Sequence, residues 1–274
     1  MRDIEKVNNS IIVATPNVSS FPLKVNRFGN DFCVVYFHGL FGSSSHKHVV
    51  HLVDDLNKNK IDNCTFDFFA HGERAGKEPF IEFDTFKYVE ETKMAIHTLK
   101  GLGYKNFIFI GESFGGLLLQ TLKSTKVDCI GVVHLFSIFD FNYSNINIET
   151  IAEHYNNNIP LVVSSTSGAR KSELSKRLLH GIMLFQKDIE NIAIQNREIP
   201  TLIIAGKYDS ECHYQGAIEF AKKLNEVKCK IYNTGHNGYD KITKQYSYNN
   251  TKRINAEIIR FIKALIHLKL YFKK

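Results

Sequence analysis

One stretch constrains this chain more than any other: Asn106-Phe107-Ile108-Phe109-Ile110-Gly111-Glu112-Ser113-Phe114-Gly115-Gly116. An apolar run of strand length ends in glycine-x-serine-x-glycine and passes into a helix-compatible stretch, Gly116 to Lys123. In that strand-turn-helix setting the pentapeptide makes a nucleophile elbow. Gly111 and Gly115 lack Cβ atoms, so the chain turns tightly enough to hold a serine in a strained conformation above the strand. Ser113 is therefore the first candidate nucleophile. The pentapeptide alone is equally compatible with an ordinary glycine turn, and its surroundings must decide.

Those surroundings alternate. Apolar runs at Ile11–Thr15, Phe21–Val25, Phe32–Phe37, Cys64–Phe69, Phe107–Ile110, Ile130–Phe136, Thr201–Ala205 and Lys228–Tyr232 read as strands. Several are apolar throughout, as strands covered on both faces should be. Between them, Val49, Val50, Leu52, Val53 and Leu56 mark one helix, and Val89, Ile96 and Leu99 mark another with Asp84 as N-cap. Tyr214–Leu224 and Lys252–His267 read as later helices. Two early strands with no room for a helix between them, then repeated βα units, predict a mostly parallel sheet with an antiparallel edge. Ligands of such sheets bind at the carboxyl ends of the strands.

From Phe141 to Ile199 the strand alternation stops for too long to be a plain loop. Leu174, Leu178, Leu179, Ile182 and Phe185 recur at helical spacing, which predicts a helical cap. The expected organisation is a core, residues 1–140, a cap insertion, residues 141–199, and the rest of the core, residues 200–274. Asn156-Asn157-Asn158 marks a turn or a mobile segment within the insertion.

A chain of 274 residues can bury such a core without metal or disulfide support. The five cysteines, Cys33, Cys64, Cys129, Cys212 and Cys229, are scattered, odd in number and mostly inside apolar runs, so buried thiols are expected. The opening Met1-Arg2-Asp3-Ile4-Glu5-Lys6 leads into no apolar signal region, and no run approaches about 18 apolar residues, so a cytoplasmic protein without stable membrane insertion is expected. A net charge of +7 is compatible with acidic substrates, acyl carriers or membrane surfaces, but no nucleic-acid-binding motif accompanies it.

An activated serine needs a base, a carboxylate to orient that base, and donors for an oxyanion. After the Thr201–Ala205 strand, Gly206-Lys207-Tyr208-Asp209 places a carboxylate at a strand end; Asp209 is the preferred orienting acid. After the Lys228–Tyr232 strand comes Asn233-Thr234-Gly235-His236-Asn237-Gly238; His236 is the preferred general base. Asp140, after the Ile130–Phe136 strand, is held in reserve as the acid. Glu112 points away from the nucleophile's side of the elbow and is read as packing or hydrogen bonding.

The order Ser113, Asp209, His236 is that of an α/β hydrolase. Over nearly its whole length the sequence resembles an α/β-hydrolase-fold serine hydrolase, most of all the capped carboxylesterases that include feruloyl and cinnamoyl esterases and monoacylglycerol lipases. His38-Gly39-Leu40-Phe41-Gly42 is similar to the family's H-G-x-x-G turn. The resemblance implies that the backbone N–H groups of Leu40 and Phe114 form the oxyanion hole. Asp67 to Arg74 resembles the family's D-x-x-G-H-G-x-S segment, with Ala70 in place of glycine and Arg74 in place of serine, so only a structural role carries over.

The implied activity is serine-dependent hydrolysis of carboxylic esters of small to medium acyl or aromatic acids, without cofactor or metal. A serine at the elbow argues against haloalkane dehalogenases and epoxide hydrolases, which use a carboxylate. Two alternatives stay open: a thioesterase or acyltransferase acting on acyl carriers, and a ligand receptor that keeps the fold without turnover. Among the other histidines, His38 is expected to brace the oxyanion turn and His213 to face the surface or cap. His48 and His51 could share a helix face, but His46 does not and no third metal ligand is evident. The last helix carries Ile254, Ile258, Phe261, Ile262 and Leu265 at helical spacing among basic residues and is expected to pack on the sheet rather than lie on a membrane.

Overall fold

The computed structural model describes residues 5–7, 9–15, 21–121, 128–164, 171–240, 242–243 and 245–272; side chains of 5–7, 121, 190, 192–196 and 269–272 are not among those described. Leu122 and Lys123, the last residues of the helix-compatible stretch expected from the sequence, and the side chains of Tyr271 and Phe272 thus lie outside the described residues.

Nine strands form one sheet: β1 (Glu5–Val7), β2 (Ser10–Ala14), β3 (Pro22–Asn26), β4 (Phe32–Phe37), β5 (Asn63–Thr65), β6 (Asn106–Glu112), β7 (Cys129–Leu135), β10 (Thr201–Gly206) and β11 (Val227–Tyr232). Their order is β1-β2-β3-β5-β4-β6-β7-β10-β11. The pairs from β1 to β5 run antiparallel and those from β5 to β11 run parallel. This is the expected mostly parallel sheet with an antiparallel edge.

Alternation along the central strands feeds two cores. Cys33, Val35 and Phe37 of β4 and Phe107 and Phe109 of β6 point to one face, where helices α2 (Thr85–Gly101), α3 (Phe114–Thr121) and α5 (Lys176–Asn196) pack. Phe32, Val34 and Tyr36 of β4 with Ile108 and Ile110 of β6 point to the other, where α1 (Lys47–Lys58) and α7 (Tyr248–Phe272) pack. Each such side chain contributes about 1.5–3 kcal/mol by leaving water. The stripe on α7 is part of this second core, with Ile258 and Ile262 fully buried. Among the described residues no helix is long and apolar enough to cross a membrane.

Two sequence expectations need correction. The strand expected at Cys64–Phe69 pairs only over Asn63–Thr65. Beyond it the chain leaves the sheet, Phe66 and Phe68 enter the first core, and the Asp67 carboxylate accepts the amides of Ser44 (2.6 Å) and Glu73 (2.9 Å). The segment between β7 and β10 is not wholly helical: α4 (Ile148–Asn156) and α5 flank an antiparallel hairpin of β8 (Leu161–Ser164) and β9 (Lys171–Leu174). Leu174 belongs to that hairpin rather than to the helix. Asp84 caps α2 as expected, accepting the Lys87 amide at 2.8 Å.

Because β4, β6, β10 and β11 are parallel, their carboxyl ends share one edge of the sheet. The loops after them carry His38–Gly42, Ser113, Asp209 and His236. Residues Phe141, Ile151, Leu161, Val163, Leu178 and Ile182 of the intervening segment join the first core.

Candidate active site

Ser113 stands between β6 and α3 with φ 52°, a left-handed conformation that costs a non-glycine residue on the order of 1–3 kcal/mol. The flanking glycines make this affordable in space. A Cβ on Gly115 would stand 2.2 Å from the Phe37 carbonyl oxygen, and one on Gly111 would stand 2.7 Å from the Gly115 carbonyl oxygen. The elbow is also tied to β7: the Ser113 amide donates to the Leu135 carbonyl at 3.0 Å, and the Ser113 carbonyl accepts from Ile138 at 3.2 Å. The strain is thus over-determined by the surrounding backbone.

The His38–Gly42 turn closes through the Gly42 amide, which donates to the Gly39 carbonyl at 2.9 Å. His38 is fully buried and accepts the Phe68 amide at Nε2, 3.0 Å, so its proton is on Nδ1, which donates to the Gly39 carbonyl at 2.8 Å. Burial holds this imidazole below its ordinary value, in keeping with the neutral tautomer. The Tyr88 hydroxyl donates to the His38 carbonyl. His38 therefore braces the turn. Leu40 and Phe114 line the same cavity as Ser113. Phe114 opens α3, so its amide has no carbonyl one turn back to bond with.

The neighbouring Asp67 to Arg74 loop is structural. Ala70, where the resembling family has glycine, has φ 59°, and its amide donates to Glu78 at 2.7 Å. Arg74 pairs with Glu78 at 2.7 Å and with the buried Glu91 at 2.8 Å.

Across the edge, Asp209 Oδ1 accepts the amides of Glu211 (2.8 Å) and Cys212 (2.9 Å), which fixes the carboxylate in its own loop. Its Oδ2 lies 2.8 Å from His236 Nδ1. Burial works against the charged imidazole, but the Asp209 carboxylate and the Cys212 thiol beside it leave His236 well above its ordinary value. The His236 turn is held by the Gly235 amide donating to the Tyr239 carbonyl (2.9 Å) and by Asn250 donating to the Gly238 carbonyl (3.1 Å). Asp140 is engaged elsewhere: its Oδ1 accepts the Asn142 amide and the Gln186 side chain, at 2.8 and 2.9 Å.

Sequence reasoning read Cys212 only as a buried thiol and missed its place in the site. The thiol is buried, lies within 4.8 Å of the His236 imidazole, and stands 3.9 Å from Ser113 Oγ. The signal available was its position three residues after Asp209 in the same loop. That loop is stitched to the intervening segment, with Asn145 donating to the Glu211 carbonyl (3.1 Å) and His213 to the Tyr143 carbonyl (2.8 Å). Glu112 points to the opposite face of the sheet, where it accepts from the Tyr36 hydroxyl and from His48 at 3.0 Å. Burial would raise this carboxyl, yet His48 and Tyr36 bring it down to about 2. His48 thus has a structural partner, and His51 stacks on Tyr246 with ring centres 5.8 Å apart. His213 is exposed, as expected.

Ser113, Cys212 and His236 open onto a cavity of about 370 Å³. Most of its wall comes from the intervening segment, including Phe141, Ile151, Leu161, Val163, Leu178 and Ile182. A hydroxyl on a strained elbow and an imidazole held by a carboxylate therefore meet an apolar chamber whose lining includes Leu40 and Phe114.

A family model described as the alpha/beta hydrolase fold matches residues 33–179. Among solved structures, a putative hydrolase from Agrobacterium vitis S4 superposes with a TM-score of 0.72 at 17% identity, covering 95% of this chain and all (100%) of the other. Est1E from Butyrivibrio proteoclasticus, solved with ferulic acid bound, gives 0.70 at 17% identity, over 93% of this chain and 99% of its own. A soluble variant of monoglyceride lipase from Saccharomyces cerevisiae, in complex with a substrate analog, gives 0.70 at 14% identity, with 96% of each chain covered. No curated protein matched the sequence. At such identities the structural likeness speaks for the fold alone, but the family model spans more than half of the chain, and the chain belongs to the alpha/beta hydrolase fold family.

Proposed function

We propose that this protein hydrolyses carboxylic esters of small to medium acyl or aromatic acids through an acyl-enzyme on Ser113. The observation that carries the reading is Ser113 at φ 52° on the β6–α3 elbow, opening onto the same cavity as a His236 whose Nδ1 is 2.8 Å from Asp209. His236, oriented by Asp209, takes the Ser113 proton at Nε2 as Oγ attacks the ester carbonyl. The amides of Leu40 and Phe114 stabilise the oxyanion, His236 returns the proton to the leaving alcohol, and water repeats the sequence to release the acid. Ser113 Oγ rests against Cys212 Sγ, so attack begins with a rotation of χ1 toward His236, a tightening usual on substrate binding.

In this reading residues 141–199 act as a cap that supplies the acyl pocket, and 370 Å³ lies near the small end of ligand cavities. Ferulic acid bound to the similar Est1E supports an aromatic or short acyl group over a long one. The test is hydrolysis of p-nitrophenyl esters from acetate to myristate, with Ser113→Ala in parallel. We expect turnover of the shorter esters that disappears in the variant. Equal rates in Ser113→Ala would overturn the assignment, and turnover confined to acyl thioesters would move the activity to acyl carriers.

A further inference from the structure

The thiol beside the proposed base gives this site a second chemistry. Asp209, Cys212 and His236 are all buried, and one ligand atom from each lies within 4.8 Å of the others. Among the described residues this is the group of histidine, cysteine and carboxylate side chains with the spacing to hold a metal ion. We propose that the catalytic cluster is also a binding site for a thiophilic divalent cation of the Zn²⁺ class, and that the bound ion holds the enzyme inactive.

The donor set fits such an ion. A tetrahedral zinc with Zn–S of about 2.3 Å and Zn–N or Zn–O of about 2.0–2.2 Å separates sulfur from its neighbouring ligands by about 3.6 Å. The Ser113 Oγ to Cys212 Sγ distance is 3.9 Å, and Cys212 Sγ lies within 4.8 Å of a ligand atom of His236 and of Asp209. Asp209 Oδ2 and His236 Nδ1 are 2.8 Å apart, close to the separation of two ligands on one zinc ion, so the ion takes the place of the proton between them with Cys212 Sγ as the third protein donor. Sulfur with imidazole selects zinc, or cobalt as its spectroscopic substitute, over magnesium or calcium, which prefer oxygen. The cation reaches the cluster through the cavity that Cys212, His236 and Ser113 line.

On binding, the Cys212 thiol loses its proton to solvent, the proton on His236 Nδ1 moves to Nε2, and the thiolate, His236 Nδ1 and the Asp209 carboxylate each donate an electron pair to the ion. The Ser113 hydroxyl or a water completes the shell. Only S–H is lost in the net balance, and no electron changes hands. With its proton on Nε2, His236 cannot then accept the Ser113 proton. The metal site stands on its own geometry; only its inhibitory consequence rests on the ester-hydrolase reading.

The test uses tag-free, full-length protein titrated with Co²⁺ and followed by thiolate-to-cobalt charge-transfer absorption, then displaced with Zn²⁺. One equivalent should develop the band. Cys212→Ser and His236→Gln should each weaken binding at least about 100-fold, while Cys229→Ser, which alters a half-buried thiol on β11, should leave the titration unchanged. Circular dichroism checks that each variant is folded, and Cys212→Ala replaces Cys212→Ser if the hydroxyl is not tolerated. Absence of the band, its survival in Cys212→Ser, or its loss in Cys229→Ser would overturn the proposal. Where metal-free protein turns over ester, Zn²⁺ should abolish turnover and a chelator restore it. Metal-free protein that turns over no ester counts against the hydrolase reading alone, because the optical signal does not depend on turnover.

Discussion

The two sides of the Ser113 cavity are built on different terms. The elbow side is backbone against backbone: Gly115 under the Phe37 carbonyl, Ser113 hydrogen-bonded to β7, His38 clamping its own turn. The side contributed by residues 141–199 is a wall of interchangeable aliphatic and aromatic groups: Phe141, Ile151, Leu161, Val163, Leu178 and Ile182. One side admits almost no substitution because atoms would collide; the other asks only for apolar volume. Chemistry should therefore reside in the first and substrate preference in the second. Ser113→Ala should sharpen this contrast most, lowering kcat for ester hydrolysis by on the order of 10⁴ to 10⁶ while the melting temperature changes little, because alanine keeps the Cβ and with it the strain at φ 52°. A comparable loss from any single change in residues 141–199 would break it.

Next in size is Asp209→Asn, expected to lower kcat by about 10⁴ by releasing the imidazole orientation and favouring the wrong tautomer. It also carries a pH signature. On the proposed mechanism His236 acts as a base only when neutral, and with Asp209 beside it the imidazole sits well above its ordinary 6.5. The rising limb of kcat/KM in the native protein should therefore fall above pH 6.5 and move to lower pH in Asp209→Asn. A limb that does not move between the two proteins would mean that another group titrates.

Glu112 lies on the elbow side but faces away from the chemistry, so it separates scaffold from catalysis. Its folded value of about 2 is below the ordinary 4.5, so its contribution to stability is complete above pH 4.5 and fades as pH falls toward 2. By linkage that contribution is about 3 kcal/mol at neutral pH. Glu112→Gln should unfold at lower urea concentration at pH 7 and approach the native protein near pH 2. A stability gap that persists unchanged at pH 2 would show that the loss is one of packing rather than charge.

The same division governs what could be read from the sequence. The central parallel strands were legible because burial on both faces leaves unbroken apolar runs; Ser113 and Asp209 could be picked out because each follows such a run, and His236 because it follows the alternating edge strand Val227–Tyr232. Residues 141–199 were less legible. In β8 only Leu161 and Val163 turn inward, an alternation too short to distinguish from a helix segment, and Leu174 falls in phase with the helix that follows its own strand. Asn63–Thr65 pairs for only three residues because the Asp67 carboxylate draws the chain out of the sheet, a tertiary effect with no local pattern. The place of Cys212 in the site escaped notice because a cysteine in a loop has no periodicity. Its meaning comes from Ser113 and His236, far away in the chain.

The smallest effect tests the wall itself. Ile182 of α5 is buried and lines the cavity, whereas Ile108 of β6 is equally buried but faces the opposite core. Ile182→Val and Ile108→Val each remove one methylene and should each cost about 0.5–1.5 kcal/mol of stability. Only the first enlarges the acyl chamber. A methylene moved from water into that space gains about 0.8 kcal/mol, about fourfold in kcat/KM. Ile182→Val should therefore favour the next longer p-nitrophenyl ester by about that factor, and Ile108→Val should leave the series unchanged. If both variants shift the preference alike, the wall formed by residues 141–199 does not set the acyl length, and the division between a chemical side and a selective side fails at its most sensitive point.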